Sequence, residues 1–233
     1  MLKSNQTTAA TKKFQCLVRE IAHMKKVIEE LPFCVVAISS HSVINSIAEQ
    51  RSLQYSSHYG EFALSLQTPE SDDTHPDALL VAAISTQGSR ILGSFRLEKD
   101  SLADAKISII EGHGKLKISG RSALVSRLFV SKTSQQMKVR NALFKFLHRH
   151  CFANQVQNIL VAAKPPLDKI YQRLGFKPAL EVDQLIPIEW SGNHLTRVMY
   201  LDTVEVVVDW HTNKHDLYNF MANTFHPNIK INL

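Results

Sequence analysis

Two stretches of the chain make different demands on one sheet, and together they narrow the fold. Leu79–Thr86 (LLVAAIST) and Arg90–Leu97 (RILGSFRL) are apolar runs on either side of Gln87-Gly88-Ser89. A short glycine-bearing turn between two such runs makes an antiparallel hairpin. Further on, Ala123–Val130 (ALVSRLFV) reads as a strand and Ile159–Ala163 as a short buried one. Between them, residues 134–152 read as a long helix with Val139, Leu143, Phe146 and Leu147 on one face. A strand–helix–strand passage is a crossover, which joins parallel neighbours. A chain holding both has a mixed sheet with helices on both faces.

The pattern extends outwards from there. Residues 12–31 carry Phe14, Leu17, Val18, Ile21, Met24, Ile28 and Leu31 at helical spacing, and Pro32 ends the run. Phe33–Ile38 reads as a strand, and residues 42–54 as a helix opened by Ser42. Thr68–Pro76 (TPESDDTHP) reads as a polar loop and Lys99–Gly120 as irregular. Pro165-Pro166 open a helix that Gly175 ends. Thr196–Trp210 is expected to hold a long late strand, and residues 213–225 a last helix. The expectation is one domain over residues 1–233 with its core at 33–210, long enough to need no metal or disulfide staple.

Cys16, Cys34 and Cys151 are odd in number and none stand at C-x-x-C spacing, which excludes a disulfide framework and points to a reducing compartment, the cytoplasm. Residues 1–13 are polar, unlike a secretory signal. No apolar run reaches the ~18 residues of a membrane span. No P-loop, G-x-S-x-G or H-E-x-x-H occurs. His148, His150 and Cys151 sit too close along one helix for a shared metal, so none is expected.

Charge is regional. The formal net charge is +6, yet residues 112–167 hold ten basic side chains and no Asp or Glu. A one-sign field of this kind draws an anionic partner, whether nucleic acid, a phosphorylated cofactor or an acidic carrier protein. Few aromatics alternate with these basic residues, so stacking platforms for bases are poor and nucleic acid is unlikely as the partner.

Ser126–Lys132 (SRLFVSK) is followed by a helix, a strand and Tyr171–Phe176 (YQRLGF), and preceded by Leu92–Leu97 (LGSFRL). In this order the pieces resemble the GNAT acyltransferase superfamily, over roughly residues 35–208. There the fourth strand feeds a phosphate-cradling turn, and a Tyr-x-x-x-Gly-Phe signature closes the next helix. Ser126-Arg127-Leu128-Phe129-Val130 is most similar to the acyl-homoserine-lactone synthases and long-chain N-acyl amino acid synthases. Both take acyl chains from acyl carrier protein, which is acidic and bears a phosphopantetheine arm.

The resemblance implies an α/β (α+β) fold, its mixed, mostly antiparallel sheet splayed at a central strand pair. It puts the thioester against the Leu128, Phe129 and Val130 edge, whose N–H groups would polarise the carbonyl. It puts donor phosphate near Lys132, Gln135, Lys138 and Arg140. Tyr171 would protonate the departing thiolate. Arg96 and Arg127 would hold the acceptor carboxylate, and Arg51 with Tyr55 matches a substrate-binding segment. Asp72, Asp73 and Asp77 fall near the branch's paired acids. Phe129, Phe144 and Ile159 would line an acyl tunnel. The donor thioester is then a co-substrate, with no tightly bound cofactor.

Two departures qualify this picture. Lys138 and Arg140 stand where coenzyme-A-using members keep glycines. Such side chains crowd a pyrophosphate but suit a single phosphate. The branch also carries Glu two residues before its Ser-Arg pair, and here that residue is Leu124. The remaining candidate bases are Glu98, Glu111, His113 and Glu61, or water. Transfer of a fatty acyl group from carrier protein or long acyl-CoA to a small amine is the first reading. Acetylation from acetyl-CoA is the second, and a non-catalytic module with a basic face the third.

Overall fold

A computed structural model describes residues 27–231. Its strands are Val27–Ile28 (β1), Phe33–Ala37 (β2), Ala78–Ser85 (β3), Ile91–Glu98 (β4), Ser122–Val130 (β5), Asn158–Ala163 (β6), Lys177–Pro178 (β7), Leu185–Ile188 (β8), His194–Asp202 (β9) and Thr224–Phe225 (β10). Its α-helices are His41–Tyr59 (α1), Glu61–Ser65 (α2), Asp100–Glu111 (α3), Gln136–Ala153 (α4), Asp168–Arg173 (α5) and Glu205–Thr212 (α6). The main sheet runs β2-β3-β4-β5-β6-β9-β7, with β8 also on β9. Every pairing in it is antiparallel except β5–β6. The mixed, mostly antiparallel sheet expected from the hairpin and the crossover is therefore present.

Side-chain alternation splits the core between two faces. Val81, Phe95, Leu97, Val125, Val161 and Met199 turn to the face covered by α4 and α6. Leu124, Leu160 and Val198 meet Ile110 of α3 on the other face. On that same side Leu80, Ala82 and Phe129 meet Ile44 and Ile47 of α1.

Two irregularities in β5 build the site. First, β5 and β6 pair only from Ser122↔Asn158 to Val125↔Val161, and past Val125 β5 runs on against β4 alone. The strands fork there, as the splayed pair requires. Second, Ser94 opposes Phe129 but Arg96 opposes Ser126, so β5 holds one extra residue. This is a β-bulge, and Arg127 takes it up at a φ of 56°. One inserted residue switches the faces of everything beyond it. Leu128 and Val130 consequently join Val125 on the α4 face, and Phe129 goes to the α1 face.

Several expectations are corrected. Of the helix expected over 12–31, residues 12–26 lie outside the described residues, and Val27–Ile28 form a strand against β10. Lys99–Gly120 contains the helix α3. The run Glu205–Trp210 is helical rather than the end of a strand, because Asp202 Oδ1 accepts from the N–H groups of Val204 and Glu205 at 2.8 and 2.9 Å and so starts a helix. The tail expected as a helix over 213–225 is helical only over 217–223. It holds a π-helical turn at Asn219–Asn223 and β10, pinned by Lys145, whose ammonium donates to Thr224 O at 2.6 Å and meets His226 Nδ1 at 2.9 Å.

Among the described residues no helix is long and apolar enough to cross a membrane.

Candidate active site

The fork opens into a cavity of about 380 Å³ on the α4 face. Its inner wall is Phe95, Val125, Leu143, Phe144, Leu147 and Phe176, all buried. Leu128 and Val130 of the bulged edge line it, and Tyr171 and Leu174 bound it from around α5. Phe144 lines the cavity and Phe129 borders it with its side chain packed on the α1 face, whereas Ile159 is plain core. Ser131 N–H bonds to Leu92 O at 2.8 Å, so by the alternation of an antiparallel ladder Val130 N–H points away from β4, into the fork. Tyr55 O–H donates to Leu128 O at 3.1 Å and ties α1 to the same edge.

Tyr171 packs edge-on against Phe176. Burial pushes its phenol well above the ordinary tyrosine value, and Tyr55 and Tyr59 nearby add to the shift. It stays protonated across the neutral range and is a proton donor, not a base.

A smaller cavity of about 50 Å³ lies beside the fork, lined by Tyr55, Tyr59, Phe62, Ser126, Arg127 and Trp190 among others. Tyr55, Tyr59 and Val125 border both cavities. Tyr59 stacks on Tyr55 with ring centres 4.9 Å apart, and Arg127 lies 5.3 Å over the Phe62 ring.

Beneath this smaller cavity is a polar cluster of four cations and four carboxylates. Arg51 forks onto Asp73 at 3.0 and 2.9 Å. Arg96 reaches Glu98 at 2.9 Å, Asp73 at 2.9 Å and Glu70 at 3.2 Å. Arg127 forks onto Glu70 at 2.5 and 2.6 Å and donates to Trp190 O at 2.7 Å. Lys106 bridges Asp72 at 2.7 Å and Glu98 at 2.9 Å. Burial alone raises the Glu70 carboxyl, but Arg127, with Arg96 and Arg51 behind it, brings it below the usual carboxylate range. Asp73 moves the same way, burial opposed by Arg51 and Arg96, and Asp72 likewise, burial opposed chiefly by Lys106.

The sequence-derived residues divide accordingly. Arg51 and Arg96 are fully buried and held by carboxylates, so neither guanidinium is open to a substrate. Arg127 borders the small cavity but spends three of its N–H groups on Glu70 and Trp190. Asp77 stands outside the cluster, on Ser101. Glu61, Glu111 and His113 are exposed and line neither cavity. Glu70 was not among the sequence-derived candidates. It lies in the TPESDDTHP loop, where its side chain and that of Asp73 cap one turn reciprocally.

At the mouth of the large cavity, Lys132 and Arg140 are lining residues, and Lys164 sits 4.9 Å over the Tyr59 ring. Lys138 is turned away, to Glu29 at 3.3 Å, and Gln135 precedes the first turn of α4 without lining the cavity. Burial pushes the Arg140 guanidinium down, and the charge of Arg173 lowers it further. Among the described residues neither arginine has a carboxylate partner. Arg173, too, escaped the sequence reading. The acid-free block is not one basic face. Lys115 and Arg121 pair with Glu181 and Asp100, and Lys145 and Arg127 are buried.

A parted strand pair, an exposed peptide edge, a buried phenol and an apolar cavity are the parts that transfer of an acyl group from a thioester uses. Residues 86–184 match the family model described as acetyltransferase (GNAT) domain. No curated protein matches its sequence. Among solved structures, FeeM, an N-acyl amino acid synthase from uncultured soil microbes, is similar with a TM-score of 0.51 at 13% identity, over 81% of this chain and 99% of that one. BjaI, a CoA-dependent acyl-homoserine lactone synthase solved with SAM and isopentyl-CoA, has a TM-score of 0.58 at 14% identity, over 85% and 95%. An aminoglycoside 6'-acetyltransferase type Ii has a TM-score of 0.50 at 14% identity, over 73% and 97%. At such identities the likeness carries the fold alone.

Proposed function

We propose that this protein is an acyltransferase that moves a fatty acyl group from acyl carrier protein, or from a long acyl-CoA, to the amine of an amino acid or a similar small molecule. The observation that carries the reading is the apolar cavity on the forked edge. An apolar cavity of about 150 Å³ holds benzene. One of about 380 Å³, walled by Phe95, Leu143, Phe144 and Leu147, has room for a thioester and an aliphatic tail.

In this reading the thioester carbonyl lies against Val130 N–H, which stabilises the oxyanion. The acceptor amine enters through the small cavity, and the thiolate leaves toward Tyr171. Arg127 has five N–H donors, of which Glu70 and Trp190 take three; the remaining two suit an acceptor carboxylate. Lys132, Arg140 and Arg173 receive phosphate at the mouth. FeeM, named as an N-acyl amino acid synthase, shares this fold and lends support.

Acetylation from acetyl-CoA is the second reading, favoured by the acetyltransferase description of the matching family model. The two separate on a series of acetyl, octanoyl and dodecanoyl thioesters, each carried on acyl carrier protein and on CoA. Each buried methylene contributes about 0.8 kcal/mol, so kcat/KM is expected to climb about tenfold for every two methylenes until the cavity is full. A maximum at acetyl-CoA would establish the second reading instead.

A further inference from the structure

We infer that Ser126 and Glu98 form the proton-accepting relay of this transfer, Ser126 touching the acceptor amine and Glu98 acting through Ser126. The inference rests on the proposed N-acyl transfer and supplies the base that β5 lacks.

Ser126 is the first residue past the last β5–β6 pair, and it lines the small cavity. Its hydroxyl donates to Glu98 Oε1 at 2.6 Å. A hydroxyl has one proton to give and two lone pairs; with the proton on Glu98 and Arg96 Nε donating to one lone pair at 3.2 Å, one lone pair is left for an incoming N–H. Glu98 stands directly opposite Leu124 in the β4–β5 register. Directly opposed residues share a face. The carboxylate absent at Leu124 is thus supplied from the neighbouring strand. Glu98 Oε2 is buried without a hydrogen-bond partner, so the carboxylate is not saturated by its neighbours.

The cations around Glu98 are shared with other carboxylates. Arg96 contacts it along β4 and Lys106 from α3, each at 2.9 Å. A buried pair that loses one member normally leaves a costly lone charge. Here Arg96 retains Asp73 and Glu70, and Lys106 retains Asp72, when Glu98 becomes neutral. Asp72 is partly exposed, which gives the proton a way out to solvent.

The step balances as follows. The acceptor enters as an ammonium and releases one proton to solvent. Its nitrogen lone pair forms the C–N bond to the thioester carbon. The surplus proton on that nitrogen passes to Ser126 Oγ as the Ser126 proton passes to Glu98 Oε1. The C–S bond breaks, the thiolate takes the Tyr171 proton, which solvent replaces, and Glu98 returns its proton to solvent. The products are one amide, one thiol and one released proton.

The test pairs Ser126→Ala with two acceptor probes, n-propylamine and the weakly basic methoxyamine, using the best donor of the thioester series. General-base assistance is worth about 10²–10⁴-fold. Ser126→Ala is expected to lose about 10²-fold or more in kcat with propylamine, with donor KM unchanged. With methoxyamine, whose nitrogen sheds its proton readily, the loss is expected to shrink to a few-fold. Ser126→Thr, which keeps a hydroxyl, is expected to restore most of the propylamine rate. Glu98→Gln is expected to lower kcat with donor KM unchanged and with the same dependence on amine basicity. Equal loss with both amines, or no loss at all, overturns the relay while leaving acyl transfer intact. A wild-type protein that transfers from no thioester overturns the functional reading, and the relay with it.

Discussion

Arg127 holds a left-handed backbone conformation at φ 56°, which costs a non-glycine residue on the order of 1–3 kcal/mol. The cost is met because its guanidinium is fixed twice on Glu70 and once on Trp190 O, and the reward is the switch of faces that turns Leu128 and Val130 into the cavity. Strain here is part of the site. Tyr171 works differently, since burial rather than backbone geometry sets its chemistry. Its raised pKa keeps the phenol proton in place through neutral and mildly alkaline pH, so deprotonation of Tyr171 should impose no alkaline limb there. Tyr171→Phe is expected to lower kcat about 10²-fold with an alkyl thioester. With an aryl thioester, whose thiolate departs without protonation, most of that loss should vanish. An equal loss on both donors would assign Tyr171 to packing alone. The role assigned to Tyr171 follows from its place in the Tyr-x-x-x-Gly-Phe string, but Glu70 was hidden in the sequence. One acid among three in a polar loop carries no periodic signal, and only the folded loop brings it to Arg127.

At the scale of elements, α4 and α5 both line the large cavity; Arg140 of α4 is a lining residue, Arg173 ends α5 close enough to act on its charge, and neither has a carboxylate partner among the described residues. In the proposed function, Arg140 near the start of α4, whose first turn has no acid, and Arg173 beside it would seat the donor phosphate. Arg173→Glu is expected to raise KM about 10- to 100-fold for phosphate-bearing donors, since a hydrogen bond to a charged group contributes about 1.5–3 kcal/mol. A pantetheine thioester without phosphate should show no such change, and if it suffers equally the seat is not electrostatic. How far the elements were legible depends on what masked each stripe. The hairpin, β5, α4 and β6 stood out because each follows one period cleanly. The helix α3 did not, because its buried face is Ala103, Lys106 and Ile110, and a lysine interrupts the apolar stripe to reach Glu98 and Asp72. The Val-Val-Val run of α6 imitates a strand, yet only Val206 and Trp210, four residues apart, are buried there. The fork itself was expected only through the family resemblance, because no local pattern announces where two strands part.

Across the whole molecule, buried titratable groups couple the fold to acid in two stages. His148 is buried on α4 and donates from Nε2 to Thr203 O; burial pushes its pKa down to about 4 from 6.5. His226 moves the same way, from burial and from Lys145 beside it. Between pH 4 and 6.5 the unfolded chain binds the extra proton, so stability is complete above that window and falls as pH drops through it. For His148 alone the loss is on the order of 3 kcal/mol. The carboxylates of Glu70, Asp72 and Asp73, whose pKa values are lowered, hold their contribution until pH falls below the ordinary carboxylate range, and then lose it. Urea midpoints measured from pH 7 to pH 3 are therefore expected to drop first through the histidine window and again below about pH 4. His148→Gln keeps a donor for Thr203 O but cannot titrate, so it should flatten the first drop and leave the second. If the variant falls in parallel with the wild type, the first stage does not belong to His148. The second stage bears on activity, because among the carboxylates protonated there Glu70 holds Arg127, and with it the bulge, in place. Acyl transfer is expected to fail with that second stage rather than the first, so comparing the two curves separates a loosened scaffold from a dismantled site.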